Sequence, residues 1–193
     1  MNDNNISVSA RRRHIVRVTL TALFAALIAA GTFISIPLPF SPVPIVLQNL
    51  FALLSGLVLG PALGGAAVAV YLAAGAIGAP VFAGAAGGFV HFLGPTGGFL
   101  YGYFLAAITA GFIAGRPKAG IKTPAWRIIA AAATGFLIVY APGLLQLKAV
   151  TGLPWSGTLI AGCLPFLPGD AVKAAAAVLV SSRLRKLTAE MLY

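Results

Sequence analysis

Between Arg17 and Arg116 the chain contains no aspartate, glutamate, lysine or arginine. A soluble domain carries about one charged residue in four, so a stretch this long without any has to face lipid or other apolar chain. The whole 193-residue sequence agrees, at 60% hydrophobic and 8% charged, against about 45–50% and about 25% in soluble proteins. It reads as an all-α integral membrane protein, its apolar runs approaching the roughly 20 residues that a spanning helix needs. The formal net charge of +10 does not point to nucleic acid. Such a surface needs basic residues along a polar face, and here they lie between apolar blocks.

Proline and glycine clusters and charge runs divide the chain into six expected transmembrane helices, near residues 15–34, 46–60, 62–79, 95–115, 125–147 and 158–182. The whole is one membrane domain, with tails at 1–14 and 183–193. The stretch "RRRHIVRVTLTALFAALIAAG" has the basic start and apolar core of a signal peptide. Its apolar character runs on to Ile36, so it reads instead as the first membrane helix. The second and third spans are short and separated by "GPALGG", which predicts a tight hairpin whose backbone groups are satisfied by neighbouring helices.

Arg11, Arg12, Arg13 and Arg17 precede the first span, Arg116, Lys118, Lys122 and Arg127 flank the fourth loop, and Arg183, Arg185 and Lys186 follow the last span. With six spans all three clusters fall on one side, so the positive-inside rule makes both termini cytoplasmic. Lys148 and Lys173 are left over, one at the outer end of the fifth span and one within the sixth.

The outer loops "SIPLPFSPVPI" and "GAPVFAGAAGGFVHFLGPTGG" hold no acid, lysine or arginine. Proline stiffens the first and glycine lets the second turn sharply. Loops so apolar are expected to fold back over the bundle and cap an outward-facing ligand site; re-entrant plugs without a ligand are the alternative.

Asp3, Asp170 and Glu190 are the only acids, and Asp170 alone lies in a span. A charge at the centre of a span costs roughly 2.5–3.5 kcal/mol, so it needs a partner or a use. Lys173 follows at i,i+3, on the same helical face, and an anion near a helix N-terminus is favoured by the dipole. The two form either a structural ion pair or a polar clamp on a ligand. Gln48, Asn49, Tyr71, His91, Thr96, Tyr140, Gln146 and Trp155 also fall on the outer half, and together they suit a small, partly apolar ligand. Cys163 is the single cysteine and reads as a packing residue. No phosphate loop, HExxH motif, second intramembrane carboxylate or nucleophile–base pair is present, so the chain is read as neither an enzyme nor an ATPase, and no cofactor or metal site is expected.

The runs "IPLPFSPVPIVLQNL", "GAIGAPVFAGAAGG", "GPTGGFLYGY" and "LPFLPGDAVKA", in that order, resemble the BioY family of biotin transporters, the substrate-binding S components of energy-coupling factor (ECF) transporters. The resemblance implies six membrane helices in the bacterial cytoplasmic membrane and an outward-facing biotin site roofed by the first two outer loops. It places Asp170 and Lys173 in that site by the family's GDxxK pattern, and Tyr140 by a recurrent tyrosine of the fifth span. Asp170 would accept from a ureido N–H of biotin and Lys173 donate to the ureido oxygen, or Lys173 would instead pair with the acid tail, with Phe82, Phe92 and loop glycines against the rings and Gln48, His91 and Thr96 nearby. Where the family often has threonine before Leu-Gln, this chain has Val46, so a polar contact there is absent.

Ala22, Ala26 and Ala30 recur at i,i+4 and make one stripe of small side chains. That stripe either packs inside the bundle or, as the resemblance implies, docks on a transmembrane T component carrying paired ATPases. Uptake without those partners, alone or as a homo-oligomer, stays open. A non-transporting membrane scaffold, in which Asp170 and Lys173 only pair, is the competing class.

Overall fold

The computed structural model describes residues 3–192. Helix α1 (Asp3–Ala30) leads into two short strands, β1 (Ser35–Leu38) and β2 (Ser41–Val46). Six more helices of varied length follow: α2 (Gln48–Leu59), α3 (Pro61–Ala76), the single turn α4 (Val90–Leu93), α5 (Gly97–Ala114), α6 (Ala125–Thr151) and α7 (Trp155–Gly162). The last helix is α8 (Leu167–Leu192).

Large apolar side chains stand exposed along the long helices, including Val18, Leu23, Leu105, Phe112, Leu137, Val172 and Leu179. Such a surface is what lipid, and not water, tolerates. By length and hydropathy α1, α5 and α6 can each cross a membrane, and α7 with α8 makes a fourth crossing if that pair, bent by 48°, is one span. Helix α2 has 12 residues and α3 has 16; at 1.5 Å per residue they reach about 18 and 24 Å, short of the roughly 30 Å hydrocarbon core.

Three boundaries differ from the sequence reading. The first helix ends at Ala30 and not near residue 34, because Gly31 turns the chain where a Cβ would lie 2.9 Å from the Phe51 ring and 3.0 Å from the Gln48 backbone nitrogen. The whole of "PALGG" is helical, and Gly60 alone separates α2 from α3. Gly60 has φ of +82°, a conformation that favours glycine, and Pro61 opens α3, where a missing N–H costs nothing. The expected last span breaks into α7 and α8 at residues 163–166, with Pro165 in the turn and Pro168 in the first turn of α8.

Helix α2 lies inside the bundle, touching α1, α3, α5, α6 and α8. Glycine makes this possible. A Cβ on Gly56 would lie 2.0 Å from the Ala107 carbonyl oxygen of α5, and one on Gly64 would lie 2.6 Å from the Gly56 Cα. The pair α5–α6 is equally close at Gly98, whose added Cβ would meet the Pro142 carbonyl oxygen at 2.1 Å.

The loop between α1 and α2 is an antiparallel hairpin, pairing Ser35 with Val46, Ile36 with Ile45 and Leu38 with Ser41. Its register slips between Ile36 and Leu38, where Pro37 has no N–H to give the ladder. Val43 and Val46 are buried, so the hairpin closes one end of the bundle. At the other end the basic residues gather. Arg185 donates to the carbonyl oxygens of Leu57, Ala114 (3.1 Å) and Gly115 (2.8 Å), the C-terminal ends of α2 and α5, where a cation offsets the helix dipoles. Lys148, at the hairpin end, donates to Leu153 O at 3.1 Å and lies 5.3 Å from the Trp155 ring, which accounts for that charge as a brace on the α6–α7 turn.

Candidate functional site

Helix α8 begins three residues before Asp170, whose amide donates to Phe166 O at 2.8 Å. Its carboxylate therefore sits in the first turn, at the positive end of the helix dipole. Asp170 is 7% exposed and Lys173 8%, and the Lys173 Nζ lies 2.9 Å from Asp170 Oδ1. Two further helices complete the group. From α2, Asn49 Nδ2 donates to Asp170 Oδ1 at 2.9 Å, and Asn49 Oδ1 accepts from Lys173 Nζ at 3.1 Å. From α6, the Tyr140 hydroxyl donates to Asp170 Oδ2 at 2.5 Å.

Counting donors and acceptors shows what this quartet has left. An ionised carboxylate offers about four lone-pair sites and an ammonium three N–H groups. Asn49, Lys173 and Tyr140 take three of the former, and Asn49 and Asp170 take two of the latter. One acceptor site, on Asp170 Oδ2, and one N–H of Lys173 remain.

The quartet borders a cavity of about 30 Å³ roofed by Val43, Pro44 and Val46 of the hairpin and walled by Phe99 and Tyr103. A neighbouring cavity of about 40 Å³ shares those five residues and adds Gln48, Phe82, His91 and Thr96. The second in turn shares Pro44, Ala83, His91 and Thr96 with an open cleft of about 620 Å³ between the hairpin and the second loop, which joins α3 to α5. Three adjoining cavities with shared lining residues thus form a seam in series from the surface to Asp170.

The remaining predicted residues fall at different depths. Gln48 is buried and its Nε2 reaches Thr32 Oγ1, Tyr71 OH (2.9 Å) and Val81 O (3.0 Å), tying the turn after α1, helix α3 and the second loop together at the cavity edge. Phe82 lies against α3, where a Cβ on Gly75 would meet its ring at 2.1 Å, and faces the inner cavity. His91 meets Phe82 edge-on at 5.9 Å and, with Thr96, lines the seam. Phe92 packs on Phe82, Phe89 and Tyr101 and lines none of these three cavities. Its part is support for Phe82. Gln146 Nε2 donates to Phe92 O and Gly94 O at 2.7 and 2.8 Å and so straps α6 to the second loop. Ala22, Ala26 and Ala30 are all exposed, while Phe24, Ala25 and Ile28 form the buried face of α1, so the stripe does not pack inside this bundle.

Two cavity residues carried little or no weight in the sequence reading. Asn49 was one polar residue among many there, and Tyr103 stood only within the run "GPTGGFLYGY", with no role of its own. A neutral amide beside Gln48 and a tyrosine in "LYGYF" carry no charge whose burial demands explanation, so only their position against Asp170 and the cavities distinguishes them.

Comparison with known proteins is consistent across sequence and structure. The BioY family model matches residues 3–190. The chain is 42% identical over 168 residues to the probable biotin transporter BioY of Pyrococcus horikoshii, an alignment covering 87% of this chain and 95% of that one. It is 40% identical to the biotin transporter BioY of Thermotoga maritima, with the same coverage, and 39% identical to that of Rhizobium etli, covering 84% and 89%. Its fold is similar to the crystal structure of the S-component for biotin from an ECF-type ABC transporter, with a TM-score of 0.80, 30% identity, and 96% and 95% of the two chains covered. The chain belongs to the BioY family.

Proposed function

We propose that this chain binds biotin between the hairpin and the Asp170 quartet and carries it across the bacterial cytoplasmic membrane as the S component of an ECF-type transporter. The observation that carries the reading is the one spare acceptor site on Asp170 Oδ2 and the one spare N–H of Lys173, whose Nζ bonds the other carboxylate oxygen at 2.9 Å, beside the innermost cavity of the seam. The ureido ring of biotin presents an N–H next to a carbonyl oxygen, which is the complementary pair. The apolar walls from Val43, Phe82 and Phe99 suit its thioether ring, and the acid tail points up the seam past Thr96 and His91. The ligand's chemistry is bound, not transformed.

Ligand sites usually hold about 300–1,000 Å³, and the inner cavities hold about 40 and 30 Å³. Biotin entry therefore requires the hairpin to lift. A structural ion pair in a non-transporting scaffold would account for the bonds at Asp170 but not for a seam leading to them.

In this reading α1, α2, α3, α5, α6 and the α7–α8 pair are six crossings of one domain. The basic end, with Arg116, Arg127 and Arg185, faces the cytoplasm together with both termini, and the hairpin faces outward. The short α2 and α3 are shielded by their neighbours, which is what lets backbone of that length sit at membrane depth. The exposed alanines at 22, 26 and 30 form the surface on which a transmembrane T component with its paired ATPases docks.

The test is equilibrium binding of labelled biotin to the purified protein in detergent. Saturable binding at one site per chain is expected; its absence would remove the transport reading.

A further inference from the structure

A fourth cavity, of about 370 Å³, lies at the basic end, between the loop joining α5 to α6, the start of α6 and the C-terminal half of α8. Its apolar walls include Pro117, Ile121 and Ile128, and its rim carries Lys118, Lys122 and Lys186. All three lysines are exposed, and among the described residues none has an acidic partner: the single ion pair is Lys173 with Asp170. Glu190, one turn beyond Lys186, makes none. The Arg185 guanidinium at the floor is spent on the carbonyls of α2 and α5 and on Thr123, whose Oγ1 lies 3.0 Å from Nη2, so it adds positive field without offering a free fork.

The cavity also lies beside a residue type typical of membrane interfaces. Ala125, which lines it, opens the 27-residue helix α6, whose positive dipole end favours an anion. The next residue, Trp126, is 69% exposed, as tryptophan is at membrane interfaces. An apolar hollow under a rim of unpaired lysines combines the two halves of one ligand, an acyl-chain root and a phosphodiester.

We infer that this cavity is a binding site for one anionic phospholipid, its phosphate held by Lys118, Lys122 and Lys186 and its glycerol and upper acyl segment seated against Ile121 and Ile128. Assignment to the cytoplasmic leaflet rests on the orientation proposed above; the binding itself does not. A lipid there ties the α5–α6 loop to α8 at the end of the bundle opposite the biotin seam.

The experiment is native mass spectrometry of the detergent-purified protein titrated with phosphatidylglycerol or phosphatidylcholine, alongside three sets of substitutions. One retained phosphatidylglycerol is expected, with phosphatidylcholine not retained. K118Q/K122Q/K186Q should weaken phosphatidylglycerol roughly a hundredfold, at about fivefold per lysine. A125W, which fills the cavity without touching charge, should also lose it. R11Q/R12Q/R13Q, altering the other basic cluster, should retain it. Undiminished lipid binding by the triple lysine variant or by A125W would overturn the assignment. Equal loss in the arginine variant, or displacement by millimolar inorganic phosphate or by an acidic peptide, would also overturn it in favour of diffuse charge, a soluble anion or a protein partner. Biotin binding, measured on the same samples, is expected to be unchanged throughout, so a failure here is separable from a failure of the transport reading.

Discussion

The Tyr140 hydroxyl on α6 donates to Asp170 Oδ2 on α8 at 2.5 Å, and so holds one carboxylate oxygen while Asn49 and Lys173 hold the other. The carboxylate is thereby fixed in orientation before any ligand arrives, which lowers the cost of ordering it on binding. Tyr140→Phe removes one hydrogen bond to a charged acceptor, worth roughly 1.5–3 kcal/mol. Biotin affinity should fall about tenfold or more with the protein still folded, as calorimetry and thermal unfolding in detergent would show. Unchanged affinity would mean that the tyrosine does not orient the carboxylate.

Ser41 governs the roof. Its Oγ donates to Ala161 O of α7 at 2.5 Å, tying the hairpin across the top of the inner cavity. Ser41→Ala should speed both association and dissociation of biotin, several-fold in each direction, with a smaller change in equilibrium affinity. Stopped-flow measurement with a fluorescent biotin would read both rates, and unaltered rates would show that the hairpin does not limit entry.

Close approach of α2 to α5 depends on Gly56. Gly56→Ala puts a methyl group within 2.0 Å of the Ala107 carbonyl oxygen, backbone that cannot swing aside. Overpacking of this kind costs about 1–3 kcal/mol. A lowered unfolding temperature is expected, whereas Gly169→Ala, with nothing within 4 Å of the added atom, should leave it nearly unmoved.

The alanine stripe gives a prediction that separates binding from coupling. Ala26→Trp adds bulk to an exposed surface, so the isolated protein should bind biotin normally. Contacts between membrane helices rely on close van der Waals fit, and co-purification with a T component and its ATPases should be lost. Retained complex formation would show that another face docks.

What the sequence made legible followed from scarcity. Asp170 and Lys173 stood out because a charge in an apolar span must be explained, and they do bond to each other. Lys148 and Gln48 were also visible, but nothing in the chain said which carbonyls or hydroxyls they would meet. The hairpin was read only as a stiff loop, since Pro37, Pro42 and Pro44 argue against a strand; two short strands tolerate them by giving up ladder bonds at a register slip. The α7–α8 break hid in "GCLPFLPG" because membrane helices tolerate proline, so Pro165 and Pro168 did not by themselves mark a turn. The outward direction of the alanine stripe needed three dimensions, because spacing alone gives a face and not what the face meets.

The central claim is that Asp170 and Lys173 are the clamp that holds biotin. Isothermal titration of biotin into the wild-type protein and into Asp170→Asn and Lys173→Met tests it most directly. Each substitution removes a charge-assisted bond worth roughly 1.5–3 kcal/mol, so each variant should insert and purify yet bind biotin at least about tenfold more weakly. Biotin binding of wild-type strength by both variants would contradict the account and leave the two residues as a structural pair.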